Sequence, residues 1–277
     1  IGVTGTNGKT TTSEMTTAML LESGKRAIAC GNIGVPILDA IRDPVGYDYL
    51  VVELSSFQLH YMGQISLQIA AFLNIAEDHL DWHGDFDSYL AAKAKIYQNT
   101  LDVIVFNEQD PKTLQAASIA RACGVETGFI RQALRSFQLP PHRAQFLGQV
   151  NQVRFVNDSK ATNAHAAEAS LGATESVVWF LGGLLKGVNP EPLIIRHGAK
   201  LRGVVLLGAE TELLEGLFSA HLPGLPVVLA AKNDPMGSAV QLAVEISEPG
   251  DTVLLAPMAA SMDQFLDYAE RGEKFVE

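Results

Sequence analysis

Short apolar runs rich in β-branched residues alternate along this chain with longer stretches whose apolar positions recur at helical spacing. Residues 1–4, 26–30, 49–53 and 69–74 read as strands, and 10–23 as the first helix. These strands are apolar without polar alternation, the mark of parallel strands covered on both faces. Residues 86–98 predict a helix and 103–106 a strand. After a polar, proline-containing segment at 107–112, residues 113–123 and 128–137 predict two more helices. Leu139-Pro140-Pro141 is the strongest interruption, because consecutive prolines cannot continue a helix. The pattern then restarts, with strands near 153–157, 177–181, 203–207, 226–230 and 252–256 separated by helical stretches. The expectation is two α/β domains, 1–140 and 141–277, the second a Rossmann-like doubly wound unit of ordinary size.

Composition narrows the function. At 277 residues and 47% hydrophobic the chain can fill two cores. A net charge of −11 removes a non-specific nucleic-acid surface, so any anion has to be held locally. Cys30 and Cys123 are the two cysteines, far short of a disulfide framework, as fits a reducing cytosol. The longest apolar runs are of strand length, against the roughly 20 residues a membrane span requires. The reading is a cytoplasmic monomer acting on small molecules, with no nucleic-acid or membrane partner. The absence of an initiator Met, with a strand beginning at Ile1, suggests that a natural N-terminal part precedes it.

Gly5-Thr6-Asn7-Gly8-Lys9-Thr10 follows a strand and opens a helix, so backbone amides and the helix N-terminus can cradle phosphates while Lys9 neutralises charge and Thr10 reaches Mg²⁺. This marks the first domain as P-loop ATPase-like, although strict P-loop spacing would put glycine where Val3 stands. Glu53 ends an apolar strand at the carboxyl edge of the sheet, where ligands of such folds bind. His79 leaves the next strand at that edge. By itself it reads as a hydrogen-bonded loop histidine; beside Glu53 and Thr10 it becomes a candidate Mg²⁺ ligand. Lys93 by itself reads as a solvated helix lysine like Lys95.

Six runs in order resemble motifs of the Mur ligase family: Gly5 through Thr12 with Thr11 in the loop, Gly31-Asn32-Ile33-Gly34, Glu53 through Leu59, Ala76 through Asp81 with Tyr89-Leu90-Ala91-Ala92-Lys93, His142-Arg143, and Asp158-Ser159-Lys160-Ala161-Thr162-Asn163. Together they span nearly the whole chain. The last run, with Leu54-Ser55-Ser56-Phe57-Gln58-Leu59, is similar to the branch that adds D-glutamate. The resemblance implies an ATP-dependent ligase that joins D-glutamate to UDP-N-acetylmuramoyl-L-alanine through an acyl phosphate, with ATP at the junction of its domains. It implies that Gly5, Thr6, Asn7, Gly8, Lys9, Thr10 and Thr11 hold the ATP phosphates, and that Arg143 and Asp158 meet the nucleotide. Thr10 and Glu53 would bind one Mg²⁺, and His79 and a carbamylated Lys93 a second. Asn32, Ser55 and Gln58, and Lys160, Thr162, Lys186, Ser261, Met262 and Tyr268, would meet the substrates. Two lysines with hydroxyls suit a dianionic amino acid.

Departures from the family pattern are equally legible. The family pattern places a UDP-binding domain before Ile1 and a Gly-x-His-Asn-x-x-Asn segment between Asn107 and Thr113, neither of which is in this sequence, and Tyr268 stands where the family often has Phe. Two rival readings remain at this stage. One is another superfamily ligase, of the folylpolyglutamate synthase or lipid II amidating type, although two cysteines cannot build the latter's four-cysteine zinc ribbon. The other is a nucleotide-binding scaffold without catalysis, which would have no use for Glu53, His79 and Lys93.

Overall fold

The computed structural model of the chain describes residues 1–63, 65–98, 100–106 and 112–277. Contacts gather it into two units, Ile1–Ala76 with His83–Leu139, and Glu77–Trp82 with Pro140–Glu277. The segment expected to be missing near 107–113 falls largely outside the described residues.

The first unit is built from β1 (Gly2–Thr4), α1 (Lys9–Glu22), β2 (Ala27–Gly31), α2 (Ile37–Ile41), β3 (Tyr49–Glu53), α3 (Ser56–Tyr61) and β4 (Ile69–Phe72). There follow α4 (Leu80–His83), most of which belongs to the other unit, then α5 (Phe86–Ala94), β5 (Val103–Phe106), α6 (Lys112–Ala122) and α7 (Thr127–Ser136). Its strands lie in the order β2-β3-β1-β4-β5, all parallel. Successive strand residues serve opposite faces. Val3, Val51 and Ala71 pack with Met19 and Leu20 of α1 and Ile119 of α6, while Cys30, Val52 and Ala70 pack with Leu59, Leu67 and Ile96. Burial on both sides is why these strands read as unbroken apolar runs.

The second unit continues with β6 (Gln145–Val150), β7 (Val153–Asn157), α8 (Ala164–Gly172), β8 (Val177–Gly182), α9 (Glu191–His197), β9 (Leu201–Leu207), α10 (Thr211–His221), β10 (Val227–Leu229), α11 (Pro235–Ile246), β11 (Thr252–Leu255) and α12 (Tyr268–Val276). Its sheet order is β10-β9-β8-β11-β7-β6. Only β6 runs antiparallel. Trp179 is fully buried and donates its indole N–H to the Ala256 carbonyl at 2.7 Å.

The α/β class and the parallel strands are as expected, and three details differ. Strand β6 was not foreseen: it joins β7 through Asn151-Gln152, both with positive φ (50° and 65°), a hairpin turn usually announced by Asn-Gly and here disguised by glutamine. Helices α2, α3 and α4, of five, six and four residues, were not foreseen either, being too short for a periodic signal. The helix expected over 86–98 ends at Ala94 and tightens into a single 3-10 turn, Lys95–Tyr97, as helix ends commonly do. Among the described residues no helix is long and apolar enough to cross a membrane.

His197, at the end of α9, is buried, and neither ring nitrogen has a partner among the described residues. Burial, with help from Lys200, lowers its pKa from the usual imidazole value. An imidazole that resists protonation only when folded leaves stability intact above about pH 6.5 and erodes it as the pH falls below that. The urea midpoint should therefore drop between about pH 7 and about pH 5.5, and less so in His197→Leu. Parallel pH profiles for the two proteins would exclude His197 as the cause.

Candidate active site

At the carboxyl edge of β1 the chain turns through Gly5 (φ 152°) and Gly8 (φ 85°), backbone conformations that side chains resist, and enters α1. Gly8 is the N-cap and offers no side-chain cap, and the first turn holds no acidic residue. No side chain of the cap therefore competes with an external anion for the first-turn amides or the helix dipole.

The loop is fastened from the β4 side. The Thr6 amide donates to the Asn74 carbonyl at 3.0 Å, and Asn7 and the Asn74 side chain exchange two bonds of 2.9 Å. The Thr6 hydroxyl accepts the Ala76 amide at 3.0 Å and lies 3.0 Å from the Tyr89 hydroxyl. Lys9 Nζ donates to the carbonyls of Gly5 (2.9 Å) and Thr6 (3.0 Å). Lys93 is only 2% exposed, and its Nζ also donates to the Gly5 carbonyl at 2.9 Å while lying 4.9 Å from the centre of the Tyr89 ring. The Nζ atoms of Lys9 and Lys93 thus meet on one carbonyl of this loop. Thr10 and Thr11 are buried beside it in α1.

Strand register sets Glu53 beside Val3, which brings its carboxylate to the same edge. Glu53 is 2% exposed; Oε1 accepts from Asn32 Nδ2 at 3.0 Å, and Oε2 has no partner among the described residues. A buried carboxylate oxygen without a donor is costly, and a cation would satisfy it. Mg²⁺ takes oxygen ligands and retains waters, so Glu53 fits as a protein anchor for one, although among the described residues no three His, Cys, Asp or Glu side chains group to hold a metal.

Ser55 and Gln58 already have a structural task. The Ser55 hydroxyl accepts the Gln58 amide at 3.1 Å, and Gln58 Oε1 accepts the Ser55 amide at 2.9 Å, a capping box at the start of α3. Ser55→Ala should lower stability by about 1 kcal/mol in urea unfolding. An unchanged midpoint would show that the cap carries no weight.

His79 (φ 55°) groups with the second unit, whereas Thr10, Glu53 and Lys93 group with the first. Its Nε2 lies 3.7 Å from Asp78 Oδ1. Asp78 in turn forms an ion pair with Lys186 and accepts from Asn163 Nδ2 at 3.3 Å.

Apart from Arg143, which precedes β6, and Tyr268, which opens α12, the other candidates of the second unit sit on loops that follow β7, β11 and β8, neighbours in the sheet. Gly182 and Gly183 (φ 125° and 124°) lie where a Cβ would overlap the carbonyl oxygens of Leu207 and Ala260. This approach lets Leu184 and Ala260 exchange amide bonds of 2.9 Å each. Ser261 is buried, and its hydroxyl has no partner among the described residues. Met262 beside it is exposed. Lys160 Nζ lies 3.6 Å from the centre of the Tyr268 ring, and the half-buried Thr162 donates its amide to the Lys160 carbonyl at 2.9 Å. Asp158 accepts the Ala144 amide at 3.1 Å and the Ser170 hydroxyl, which ties it to the turn carrying the half-buried Arg143.

Three residues that sequence reasoning passed over help to build these loops. Arg271 of α12, 1% exposed, donates to the Ser159 hydroxyl (3.0 Å), the Ser159 carbonyl (2.9 Å) and the Ala259 carbonyl (3.1 Å), joining the β7 loop to the β11 loop. Burial, opposed by Asp263, pushes its guanidinium down to about 9. Its helical spacing to the buried Phe275 was the available signal. Asn157 Nδ2 pairs with His142 Nδ1 at 3.0 Å and donates to the Gly272 carbonyl at 2.9 Å, so His142 is also anchored. Asp78 was visible only as the neighbour of His79.

Fold and loops together define an α/β protein of two parallel-sheet units, the first with a phosphate-type loop. Comparison with known proteins narrows this. The Mur ligase middle domain matches residues 3–169. A relative from Leifsonia xyli subsp. xyli, "UDP-N-acetylmuramoylalanine--D-glutamate ligase", is 44% identical over 99% of this chain and 68% of its own length. One of the same name from Thermobifida fusca is 41% identical over 99% of this chain and 74% of its own length. The Leifsonia alignment runs over 354 positions against 277 residues here, so at least 77 positions have no counterpart in this chain. The structure of MurF ligase from Thermotoga maritima in complex with ADP is similar in fold, with a TM-score of 0.72 and 18% identity over 99% of this chain and 78% of that one. The chain belongs to the Mur ligase family.

Proposed function

We propose that this Mur ligase joins D-glutamate to UDP-N-acetylmuramoyl-L-alanine with ATP, as a monomer in the cytoplasm. The observation that carries the reading is the loop at which Lys9 and Lys93 both donate to the Gly5 carbonyl, at the sheet edge that also holds Glu53. The names of relatives at 44% and 41% identity supply the substrates.

In this reading the L-alanyl carboxylate attacks the γ-phosphorus of ATP, the bond to the bridging oxygen breaks, and ADP leaves. The D-glutamate amine then adds to the acyl carbon, loses a proton and expels phosphate. No protein nucleophile is needed, so catalysis is positioning and charge neutralisation. Gly5, Thr6, Asn7, Gly8, Lys9 and Thr11 bind the phosphates, with Lys9 moving from loop carbonyls to phosphoryl oxygens. Arg143 and Asp158 meet the nucleotide, and Asn32, Ser55 and Gln58 the muramoyl substrate. Lys160, Thr162, Lys186, Ser261, Met262 and Tyr268 hold D-glutamate, whose two carboxylates match two lysines. The Mg²⁺ ions implied by the family would be held by Thr10 and Glu53 and by His79 and a carbamylated Lys93, and would neutralise phosphoryl charge.

The test is release of ADP and phosphate by the purified protein. Release should require both D-glutamate and UDP-N-acetylmuramoyl-L-alanine. Turnover that ignores D-glutamate would point to another superfamily ligase, and binding without turnover to a scaffold.

A further inference from the structure

Lys186 lies in the left-handed backbone region (φ 59°), an uncommon conformation for a long side chain, and its side chain is only 9% exposed. Its ammonium is ion-paired with Asp78, 7% exposed. The other oxygen of Asp78 accepts from Asn163, and Asn163 is itself fixed as the N-cap of α8, accepting the Ala166 amide at 3.0 Å. The oxygen that takes Lys186 also lies 3.7 Å from His79 Nε2. The segment around Asp78 is docked further along as well: the Asp81 amide donates to the Lys186 carbonyl at 3.4 Å, and Gly187 packs on Asp81.

We propose that Asp78 is a positioning residue for the reaction, fixing Lys186 for the acidic amino acid through its carboxylate. The inference rests on the D-glutamate reading of the Lys186 loop. A lysine ammonium has three donors, and Asp78 occupies one, which leaves capacity for a substrate carboxylate. A flexible four-carbon stem held in one rotamer before substrate arrives has already lost the entropy that binding would otherwise cost. A buried ammonium stripped of its counter-ion would instead draw back toward water.

Asp78→Asn keeps the shape and removes the charge. The KM for D-glutamate should rise about tenfold or more while the KM for ATP stays within about twofold, and Asp78→Glu should recover most of the loss. In a Lys186→Met background, Asp78→Asn should add little, because it acts through Lys186. Effects that multiply, or an unchanged KM for D-glutamate, would overturn the proposal. A second readout needs no turnover: acylation of Lys186 by acetic anhydride, followed by mass spectrometry without D-glutamate, should be slow in the wild type and several-fold faster in Asp78→Asn. Equal rates would show that the pair does not hold the lysine. A wild-type enzyme indifferent to D-glutamate would remove the functional reading and this role with it. The acylation rates would still judge the pair, so the two failures can be told apart.

Discussion

Replacing Lys9 by methionine should cut kcat for ADP release by about 10² to 10³, the usual cost of losing one preorganised group that stabilises transition-state charge. Methionine keeps most of the apolar stem and loses the ammonium that now rests on the Gly5 and Thr6 carbonyls. The loop should keep its shape without the two bonds from Lys9, because Thr6 and Asn7 remain fastened to Asn74 and Ala76 and the Gly5 carbonyl keeps its bond from Lys93. Thermal unfolding should accordingly stay close to the wild type. Lys93 shares the Gly5 carbonyl and cannot take over, since it is buried against Tyr89. The measurement is steady-state ADP release beside a melting curve. Wild-type turnover would mean that Lys9 does not meet the phosphates, and a collapsed melt would mean that its role is structural.

Gly183→Ala should lower stability by about 3 kcal/mol and abolish saturation by D-glutamate. Two costs combine at this position. Its φ of 124° belongs to glycine, and an added Cβ would overlap the carbonyl oxygen of Ala260, which is backbone and cannot rotate aside. Relief requires the β8 and β11 loops to part. That breaks the Leu184–Ala260 amide pair and moves the buried Ser261. Gly24→Ala is the control, because Gly24 also has positive φ (81°) but open space around it, so only about 1 kcal/mol of backbone strain is expected. Equal losses in urea unfolding would show that the close approach does not decide the matter.

These two positions differ in how visible they were beforehand. Lys9 was legible because strand, glycine loop and helix are contiguous, and the chemistry of the loop lies within six residues. Glu53 was legible from its place at the end of an apolar strand, and Lys186 through motif resemblance. That resemblance could not show that Lys186 spends its charge on Asp78, or that Ser55 and Gln58 cap a helix. Such facts depend on which side chains meet, and Lys186 and Asp78 are 108 residues apart in the chain.

By itself the sequence determined the α/β class, most of the strands, the phosphate-type loop and the family, because each is written in local periodicity or in short motifs whose physics is contained in a few neighbouring residues. Only the tertiary structure decided the strand orders, the antiparallel β6, the attachment of residues 77–82 to the second unit, and the role of Arg271 as a buried tie between two loops. Apart from the β6–β7 hairpin, whose turn lacks the usual glycine, these are long-range pairings, fixed by burial and hydrogen-bond satisfaction summed over the whole fold, and no local window of sequence holds both partners.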